Sequence, residues 1–252
     1  ISYSSTLSIG NFTFNNAGQP SIYIAKYNAT GSVVSLWNTP VNGTLNVKSI
    51  KVDGNGNIFV AGSYFSPTLT LPTYTISNFD VLNGTPDSYI IKYNSIGAIS
   101  WVKTINGGDY EDISEICTDL QGNVFVTGLF TSQTLSIGTS TYSNAGTDNF
   151  FLVKYSSSGS ISWSRVIGGY GNDQSHCLAT DNLGNVFLAG CYDSPLMTFG
   201  THTVSNVGQA DIFIAKYDAT GNVLWAISAG DAVEVHLDKI STDINGNFFI
   251  TG

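Results

Sequence analysis

The 252-residue sequence contains few charged side chains: Asp, Glu, Lys and Arg make up 11% of it, against about 25% in an average soluble domain. Acidic residues outnumber basic ones by 18 to 9, which gives a formal charge of −9, and the lysines and arginines form no cluster. Nucleic acids and anionic membrane surfaces attract clustered positive charge. We therefore expect neither as a partner.

Long apolar runs and a cysteine framework are also missing. No run approaches the roughly 20 residues of a membrane span, so none is predicted. The three cysteines, Cys117, Cys177 and Cys191, are odd in number and too few for a disulfide scaffold. Cys177 and Cys191 flank one predicted hairpin as diagonal neighbours, which a disulfide does not bridge. We therefore expect free, buried thiols.

A repeat fills the chain. The string Asn-Ile-Phe-Val-Ala-Gly ends at Gly62 and returns in close variants that end at Gly128, Gly190 and Gly252, at spacings of 66, 62 and 62 residues. Each copy follows an Asp-x-x-Gly-Asn turn, and a Lys-Tyr step and a tryptophan recur in each unit. The tryptophans are Trp37, Trp101, Trp163 and Trp225. A fixed period of this kind decides the fold.

Each unit reads as four antiparallel strands, because short β-branched and aromatic runs alternate with Gly/Asn/Asp turns and no helical period occurs. The sequence therefore predicts an all-β protein, a β-propeller built from four repeats of about 62 residues. We treat 1–252 as one repeat domain, with blades offset from repeats. The repeats are 1–62, 63–128, 129–190 and 191–252, and the complete blades are about 47–105, 113–167 and 175–228.

These motifs resemble a known family. The pattern Gly-Gly-x-x-x-Asp at Gly168, Gly169 and Asp173, the Asp-x-x-Gly-Asn-Val-Phe-Val-Thr-Gly string, and Asp-x-Phe-Ile-Ala-Lys-Tyr followed by tryptophan are similar to the bacterial SBBP-type β-propeller repeat. The resemblance covers all four units. It implies a propeller in a secreted or cell-surface protein, and it brings no catalytic residue set.

The blade phase leaves half a blade at each end. Residues 1–38 supply strands three and four of one blade, and 237–252 supply strands one and two of another. Three explanations stay open: a stretch of a longer repeat protein, a unit that joins copies of itself, or a closed four-bladed ring. Unpaired strand edges favour pairing. We therefore expect the two halves to pair, within one molecule, between copies, or with a preceding repeat.

Several motifs have a structural and a functional interpretation. The Asp-x-x-Gly-Asn segments resemble part of a calcium loop, but they lack the acidic residue that follows in an EF-hand, so we favour turn capping. The repeated tryptophans could line a ligand groove, but a side chain repeated in every unit most simply packs in every unit. No metal, cofactor or catalytic motif is predicted, and we interpret the chain as a non-enzyme.

The variable loops share one face of a propeller, since the connections from strand two to three and from strand four to the next blade emerge together. Aromatic and acidic residues on these loops suit a protein or carbohydrate partner. The alternative is that the loops are merely solvated. The candidate ligand-binding residues are Asp109, Tyr110, Asp112, Tyr170, Asp173, Asp231, Glu234 and His236.

The functional prediction is therefore an extracellular, non-catalytic scaffold or binding module that acts in surface or matrix interactions, with self-assembly through its half-blades as a further way of association. A glycan-binding, lectin-like propeller is the first alternative. A propeller hydrolase or lyase is the second, because carboxylates distant in sequence can converge in space.

Overall fold

The computed structural model describes residues 6–16, 18–80 and 84–252. Every regular element in this part is a β-strand, and none of it forms a helix long and apolar enough to cross a membrane. Residues 1–5 of the first predicted repeat and residues 81–83, in the four-residue insertion of the second unit, lie outside the described residues.

Three antiparallel sheets, each with four main strands, form the body of the molecule, and an added hairpin extends the first of them to six strands. Sheet I consists of β5 (Leu45–Val52), β6 (Ile58–Tyr64), β9 (Asp87–Tyr93) and β10 (Ile99–Gly107). Sheet II consists of β11 (Glu111–Thr118), β12 (Val124–Phe130), β15 (Asn149–Tyr155) and β16 (Ile161–Ile167). Sheet III consists of β17 (Asp173–Thr180), β18 (Val186–Tyr192), β21 (Asp211–Tyr217) and β22 (Val223–Ala229).

A two-strand sheet lies at each end of this row. Sheet N is β3 (Ser21–Tyr27) with β4 (Val33–Pro40), and sheet C is β23 (Lys239–Thr242) with β24 (Phe248–Thr251). Sheet N packs on sheet I through Ile22 and Ile24, while sheet C packs on sheet III through Leu237 and Ile240. Because the half-sheets lie at opposite ends of the row, they do not pair within the described residues. The closed four-bladed ring is therefore not formed among the described residues.

The long connection after each second strand folds into a small outer hairpin that the sequence analysis missed. The four hairpins are β1 (Thr6–Ile9) with β2 (Phe12–Asn15), β7 (Thr68–Leu71) with β8 (Tyr74–Ser77), β13 (Thr134–Ile137) with β14 (Ser140–Ser143), and β19 (Leu196–Phe199) with β20 (His202–Ser205). Strand β13 pairs with β10 of sheet I, while the Tyr142 hydroxyl lies 2.5 Å from Ser164 Oγ in sheet II. This hairpin therefore spans the outer side of the joint between sheets I and II.

The first strands β5, β11, β17 and β23 lie side by side on the inner side of the sheets. In sheets I, II and III this strand carries a β-bulge opposite the glycine that ends each repeat string, for example between Ser175 and Cys177 opposite Gly190. A Cβ added to Gly190 would lie 2.0 Å from the carbonyl oxygen of Gln174. The repeated glycine is thus required by close backbone approach.

Each joint between neighbouring sheets has its own apolar core. In sheet II the repeated Phe125 and Trp163 rings lie 5.9 Å apart, with Lys154 Nζ 4.9 Å above the Phe125 ring. Sheets I and III repeat this Phe–Trp–Lys arrangement. The repeated residues therefore pack the joints, as the sequence analysis predicted for the tryptophans.

Candidate functional site

The repeated Asp-x-x-Gly-Asn turns are self-contained. In sheet III, Asp181 Oδ1 accepts the backbone N–H groups of Leu183 and Asn185 at 3.0 Å each. Its Oδ2 accepts Asn185 Nδ2 at 2.8 Å and lies 3.0 Å from Lys216 Nζ. Burial works to raise the pKa of Asp181, but these hydrogen bonds outweigh it and lower the pKa. Both oxygens face N–H donors, which are not metal ligands.

The other three turns use the same hydrogen bonds around Asp53, Asp119 and Asp243. Lys154 Nζ lies 3.5 Å from Asp119 Oδ2, as Lys216 does from Asp181. This buried pairing between the Lys-Tyr step and the turn was not predicted. Within the described ranges, no three His, Cys, Asp or Glu side chains are grouped in a way that could hold a metal ion.

The predicted loop residues between sheets I and II are mostly engaged in the fold. Asp112 is buried; its Oδ2 lies 2.7 Å from Lys48 Nζ and accepts the Tyr110 hydroxyl at 3.1 Å. The backbone N–H of Asp109 donates to Ser132 Oγ at 2.8 Å, while its side chain is exposed. Only Asp109 and the edge of Tyr110 therefore reach solvent here.

The loop between sheets II and III separates its two predicted residues. Tyr170 is 88% exposed. Asp173 is fully buried, and its Oδ2 accepts the Gly169 N–H at 2.6 Å and the Ser194 hydroxyl at 2.7 Å. Burial raises the pKa of Asp173. This carboxyl group anchors the loop and is not presented to a ligand, which differs from the expectation.

The segment 230–238 contains the predicted residues Asp231, Glu234 and His236, all exposed. Asp231 Oδ1 accepts the backbone N–H of Ala232 at 2.6 Å, so it caps its own loop. His236 Nε2 lies 3.3 Å from Glu234 Oε1. Of the eight predicted residues, Glu234 with His236 and Tyr110 with Asp112 are the pairs in contact.

A cavity of about 250 Å³ opens where sheet III meets the segment leading into sheet C, a place we call joint III/C. Glu234 and His236 line one side, and His176, with Gln174 and Asn172, comes from the first strand of sheet III and its loop. The remaining lining residues are Cys191, Tyr192, Asp193 and Ala210. The cavity therefore brings together two predicted ligand-binding residues, Glu234 and His236, and several residues that the sequence analysis did not predict.

The repeat supplies an internal control for this cavity. At the preceding joint, II/III, Gln174 Nε2 donates to Asp148 Oδ2 at 3.0 Å, and Thr147 Oγ1 lies 2.9 Å from Asn172 Oδ1. One repeat later, Ala210 stands at the position of Asp148 and His236 at that of Gln174. Alanine leaves open the space that the Asp148 carboxylate occupies.

Two further replacements surround the same cavity. Glu234 stands at the repeat position of Asn172, and His176 at that of Ser114. His176 is half-buried; burial lowers its pKa, and the nearby His236 lowers it further, against Asp238. The His176 imidazole is therefore neutral near pH 7 and offers one donor and one acceptor. The residues at the positions of His176 and Ala210 vary among the repeats, and this variation is the sequence signal that marks them.

A second non-repeated cluster lies on the inner side of the sheets. Glu115 of sheet II accepts the Ser49 hydroxyl at 2.6 Å from sheet I and Lys239 Nζ at 2.8 Å from sheet C. Burial opposes ionisation, but these two hydrogen bonds outweigh it and lower the pKa of Glu115. Ser49, Glu115 and Lys239 occupy one repeat position. This contact ties sheet C to sheet II.

Comparison with known proteins supports the fold. The family model described as "Domain of unknown function (DUF5122) beta-propeller" matches residues 7–33. The chain is also 28% identical over 230 residues to the "Uncharacterized WD repeat-containing protein L264" of Acanthamoeba polyphaga mimivirus, covering 78% of this chain and 16% of that protein. Together with the all-β structure, these similarities confirm the predicted β-propeller repeat fold.

Two other similarities are weaker. The "Regulatory protein FlaEY" of Caulobacter vibrioides is 24% identical over 175 residues, with 67% of this chain and 17% of that protein covered. A crystal structure of a protein of unknown function from Bacteroides caccae aligns over 88% of this chain and 98% of its own, with 13% identity and a TM-score of 0.29. The chain spans about a sixth of the length of the curated relatives that it matches.

Proposed function

We propose that this chain is a non-catalytic β-propeller scaffold that binds a protein partner at its loop face, with the cavity at joint III/C as the specific contact. One observation carries the proposal: His176, Ala210, Glu234 and His236 occupy positions at which the repeats differ from one another, and all four line one cavity. Repeated residues have repeated packing roles. Residues that are not repeated have no packing role in common and are free to serve recognition.

The charge of the loop face indicates the chemistry of the partner. Asp109, Asp231 and Glu234 are exposed on these loops, and the whole chain carries a formal charge of −9. No lysine or arginine lines the cavity. A segment with lysine or arginine side chains is electrostatically complementary to this surface, which favours its encounter and orientation.

The non-catalytic part of the proposal is supported by the carboxyl groups that were candidates for chemistry. Asp112 lies beside Lys48, and Asp173 is hydrogen-bonded to Ser194, so both are occupied by the fold. The two curated relatives are named as a WD repeat-containing protein and a regulatory protein, and neither name describes a catalyst.

Carbohydrate binding is the second candidate. The cavity is lined by imidazole, amide and carboxylate groups, which hydrogen-bond hydroxyls, and Tyr170 is exposed on the same face. Aromatic rings of this kind stack on sugar rings. The partner class is therefore an outcome of the binding experiment below.

We also propose an extracellular or cell-surface location and the SBBP-type assignment. The sparse charge and the motif pattern around Gly168, Gly169 and Asp173 support them. Fractionation of source cells with an antibody against the chain tests the location: signal confined to the cytoplasmic fraction contradicts it.

Pairing of the half-blades between chains or with a neighbouring repeat is proposed as a means of assembly. Tyr27 of β3 is 54% exposed, whereas Tyr217 at the same repeat position in sheet III is 1% exposed, because β18 covers that edge of sheet III. Phe249 of β24 is 63% exposed against 1% for its counterpart Phe187. Sedimentation of the 252-residue chain tests this: a monomer at all concentrations contradicts self-pairing.

The binding proposal is tested with one engineered variant. The triple substitution Ala210→Asp, Glu234→Asn, His236→Gln gives joint III/C the residues of joint II/III. Wild type and variant are applied to arrays of basic, neutral and acidic peptides and to a glycan array. We expect wild type to retain basic peptides and the variant to lose them at least about tenfold, equivalent to about 1.4 kcal/mol.

The other outcomes are equally informative. Binding to glycans alone would replace the protein partner with the lectin alternative. Equal binding of the same peptides by wild type and the triple variant would contradict the cavity as the site. Asp109→Asn, which removes an exposed charge on the same loop face outside the cavity, is the control and should bind like wild type.

A further inference from the structure

The joint between sheets I and II, joint I/II, contains two facing carboxyl groups. Asp87 begins β9 of sheet I and Glu111 begins β11 of sheet II, and they are 1% and 0% exposed. Both carboxyl groups lie against Gly107: its N–H donates to Asp87 Oδ1, and a Cβ added to it would meet Glu111 Oε1. Placing two acidic side chains together away from water is costly when both are ionised. The protonation state of these two carboxyl groups therefore affects the stability of the joint.

Asp87 is surrounded by donors. Its Oδ2 accepts the Phe79 N–H at 2.7 Å and the Tyr64 hydroxyl at 3.4 Å, and its Oδ1 accepts the Gly107 N–H at 3.2 Å. These bonds stabilise the ionised form of Asp87.

Glu111 has fewer donors. The Ser132 hydroxyl donates to its Oε1, whereas its buried Oε2 has no hydrogen-bond donor among the described residues. No Lys, Arg or His in the described part of the chain lies within ion-pair distance of either carboxyl group. A proton on Glu111 Oε2 makes this buried oxygen a donor toward Asp87 and removes one of the two buried negative charges.

The neighbouring joints have only one carboxyl group at these two positions. The positions of Asp87 and Glu111 are occupied by Asn149 and Asp173 at joint II/III, and by Asp211 and Val235 at joint III/C. An amide or an apolar side chain in one of the two positions removes the second acid. Among the joints between described sheets, joint I/II is thus the one with a carboxyl group at both of these repeat positions.

We propose that joint I/II is a pH-sensitive contact, held by a proton shared between Asp87 and Glu111 and weakened when that proton is lost. Deprotonation leaves two carboxylates facing each other inside the joint, without a cation. The repulsion acts on β9 and β11, so it loosens sheet I against sheet II. The remaining joints lack this response.

The direction of the pKa values agrees with this geometry. Burial raises the pKa of Glu111 to about 9; the Ser132 hydrogen bond opposes the rise, while Asp87 and Asp109 add to it. Burial also raises the pKa of Asp87, against its hydrogen bonds. The other titratable group facing Asp87 is Tyr64, whose pKa burial raises beyond the range in which it ionises near neutrality.

The sign of the stability change follows from linkage. The folded-state pKa of Glu111 lies above its ordinary value of 4.5, so the folded state holds the proton more tightly than the unfolded state. The stabilisation is complete below about pH 4.5 and is lost as the pH rises through about 9.

The test is the melting temperature of the 252-residue chain from pH 6 to 9.5, with Glu111→Gln as the variant. Glutamine imitates the protonated acid: its amide donates to Asp87 and its oxygen accepts from Ser132. We expect the wild-type Tm to fall by roughly 5 °C or more across this range, and that fall to be largely absent in Glu111→Gln. Asp87→Asn is a second neutral variant, should the first fold poorly.

A gain-of-function control uses the neighbouring joint. Asn149→Asp places a second acid beside Asp173 and should add an alkaline loss of Tm that wild type does not show. Parallel pH curves for wild type, Glu111→Gln and Asp87→Asn would overturn the proposal. A calcium-dependent rise in the alkaline Tm of wild type, absent from Glu111→Gln and reversed by a chelator, would also overturn it, because a divalent cation would then take the place of the proton.

Discussion

Joints II/III and III/C are built on the same repeat, yet one is filled and the other holds a cavity. At joint II/III a complete sheet covers its neighbour, and Asp148 and Gln174 fill the loop end with a hydrogen bond. At joint III/C the covering sheet has two strands, and Ala210 with His236 leaves the loop end open. The repeated residues thus determine how sheets pack, and the unrepeated ones determine where a ligand has room.

The largest expected effect compares the tryptophans of the two joints. Trp163 is buried, donates from Nε1 to the Ala219 carbonyl at 3.2 Å and lies 6.1 Å from the Tyr217 ring. Trp225 is half-buried beside Phe248. We expect Trp163→Ala to lower the free energy of unfolding by about 3–5 kcal/mol and Trp225→Ala by roughly half as much. Urea unfolding of both variants measures the difference.

The sequence analysis predicted the same packing role for all four tryptophans. In the structure their burial differs, because different sheets cover them. Equal losses at the two positions would show that sheet C covers Trp225 as fully as sheet III covers Trp163. No loss in either variant would contradict the packing role itself.

The next prediction concerns an exchange of the residues that lie at the loop ends of joints II/III and III/C. Asp148→Ala removes the acceptor of Gln174 Nε2 and should lower the free energy of unfolding by about 1 kcal/mol. Ala210→Asp with His236→Gln installs the same pair at joint III/C and should have a smaller effect of opposite sign. Thermal melts of both variants test the exchange, and a destabilised double variant would show that more than these two residues keeps the cavity open.

A smaller effect concerns His176. Its folded-state pKa is lowered, chiefly by burial, so the folded state resists protonation more than the unfolded state does. Stability linked to His176 is present above about pH 6.5 and is lost as the pH falls below it. We expect His176→Ser, the residue at this position in sheet II, to flatten the acid limb of the Tm curve between pH 7 and 5. An unchanged acid limb would contradict the burial of this imidazole.

The smallest expected effect is that of calcium. The Asp53, Asp119, Asp181 and Asp243 carboxylates accept hydrogen bonds from N–H groups of their own turns. A cation would have to displace these donors, so we expect the same Tm in calcium and in chelator near neutral pH. A large calcium-dependent rise would identify a bound cation by linkage.

Much of the strand pattern could be predicted, because it depends on local chemistry. The turn at Asp181 and the second strand up to Tyr192 follow from a glycine with positive φ and from β-branched runs. The predicted third complete blade began at about residue 175, whereas β17 begins at Asp173. The bulge beside Gly190 hides the continuation, since it interrupts the alternation of side chains.

The outer hairpins were missed because their strands have four residues each. In β19 and β20 the turn at Gly200 separates runs too short to give a period.

The burial of some candidate site residues could not be predicted from the sequence either. Asp173 and Tyr170 both sit in a polar loop, but only the fold turns the Asp173 carboxyl inward toward Ser194.

The central claim, that joint III/C is a binding site made by residues that are not repeated, is tested most directly by affinity. Calorimetric titration with the strongest-binding basic peptide compares wild type, the triple variant Ala210→Asp, Glu234→Asn, His236→Gln, and the control Asp109→Asn, whose side chain lies on the loop face outside the cavity. We expect Kd to rise at least about tenfold in the triple variant and to remain that of wild type in the control. Equal Kd values for wild type and the triple variant, or a loss of affinity in the control alone, would contradict the claim.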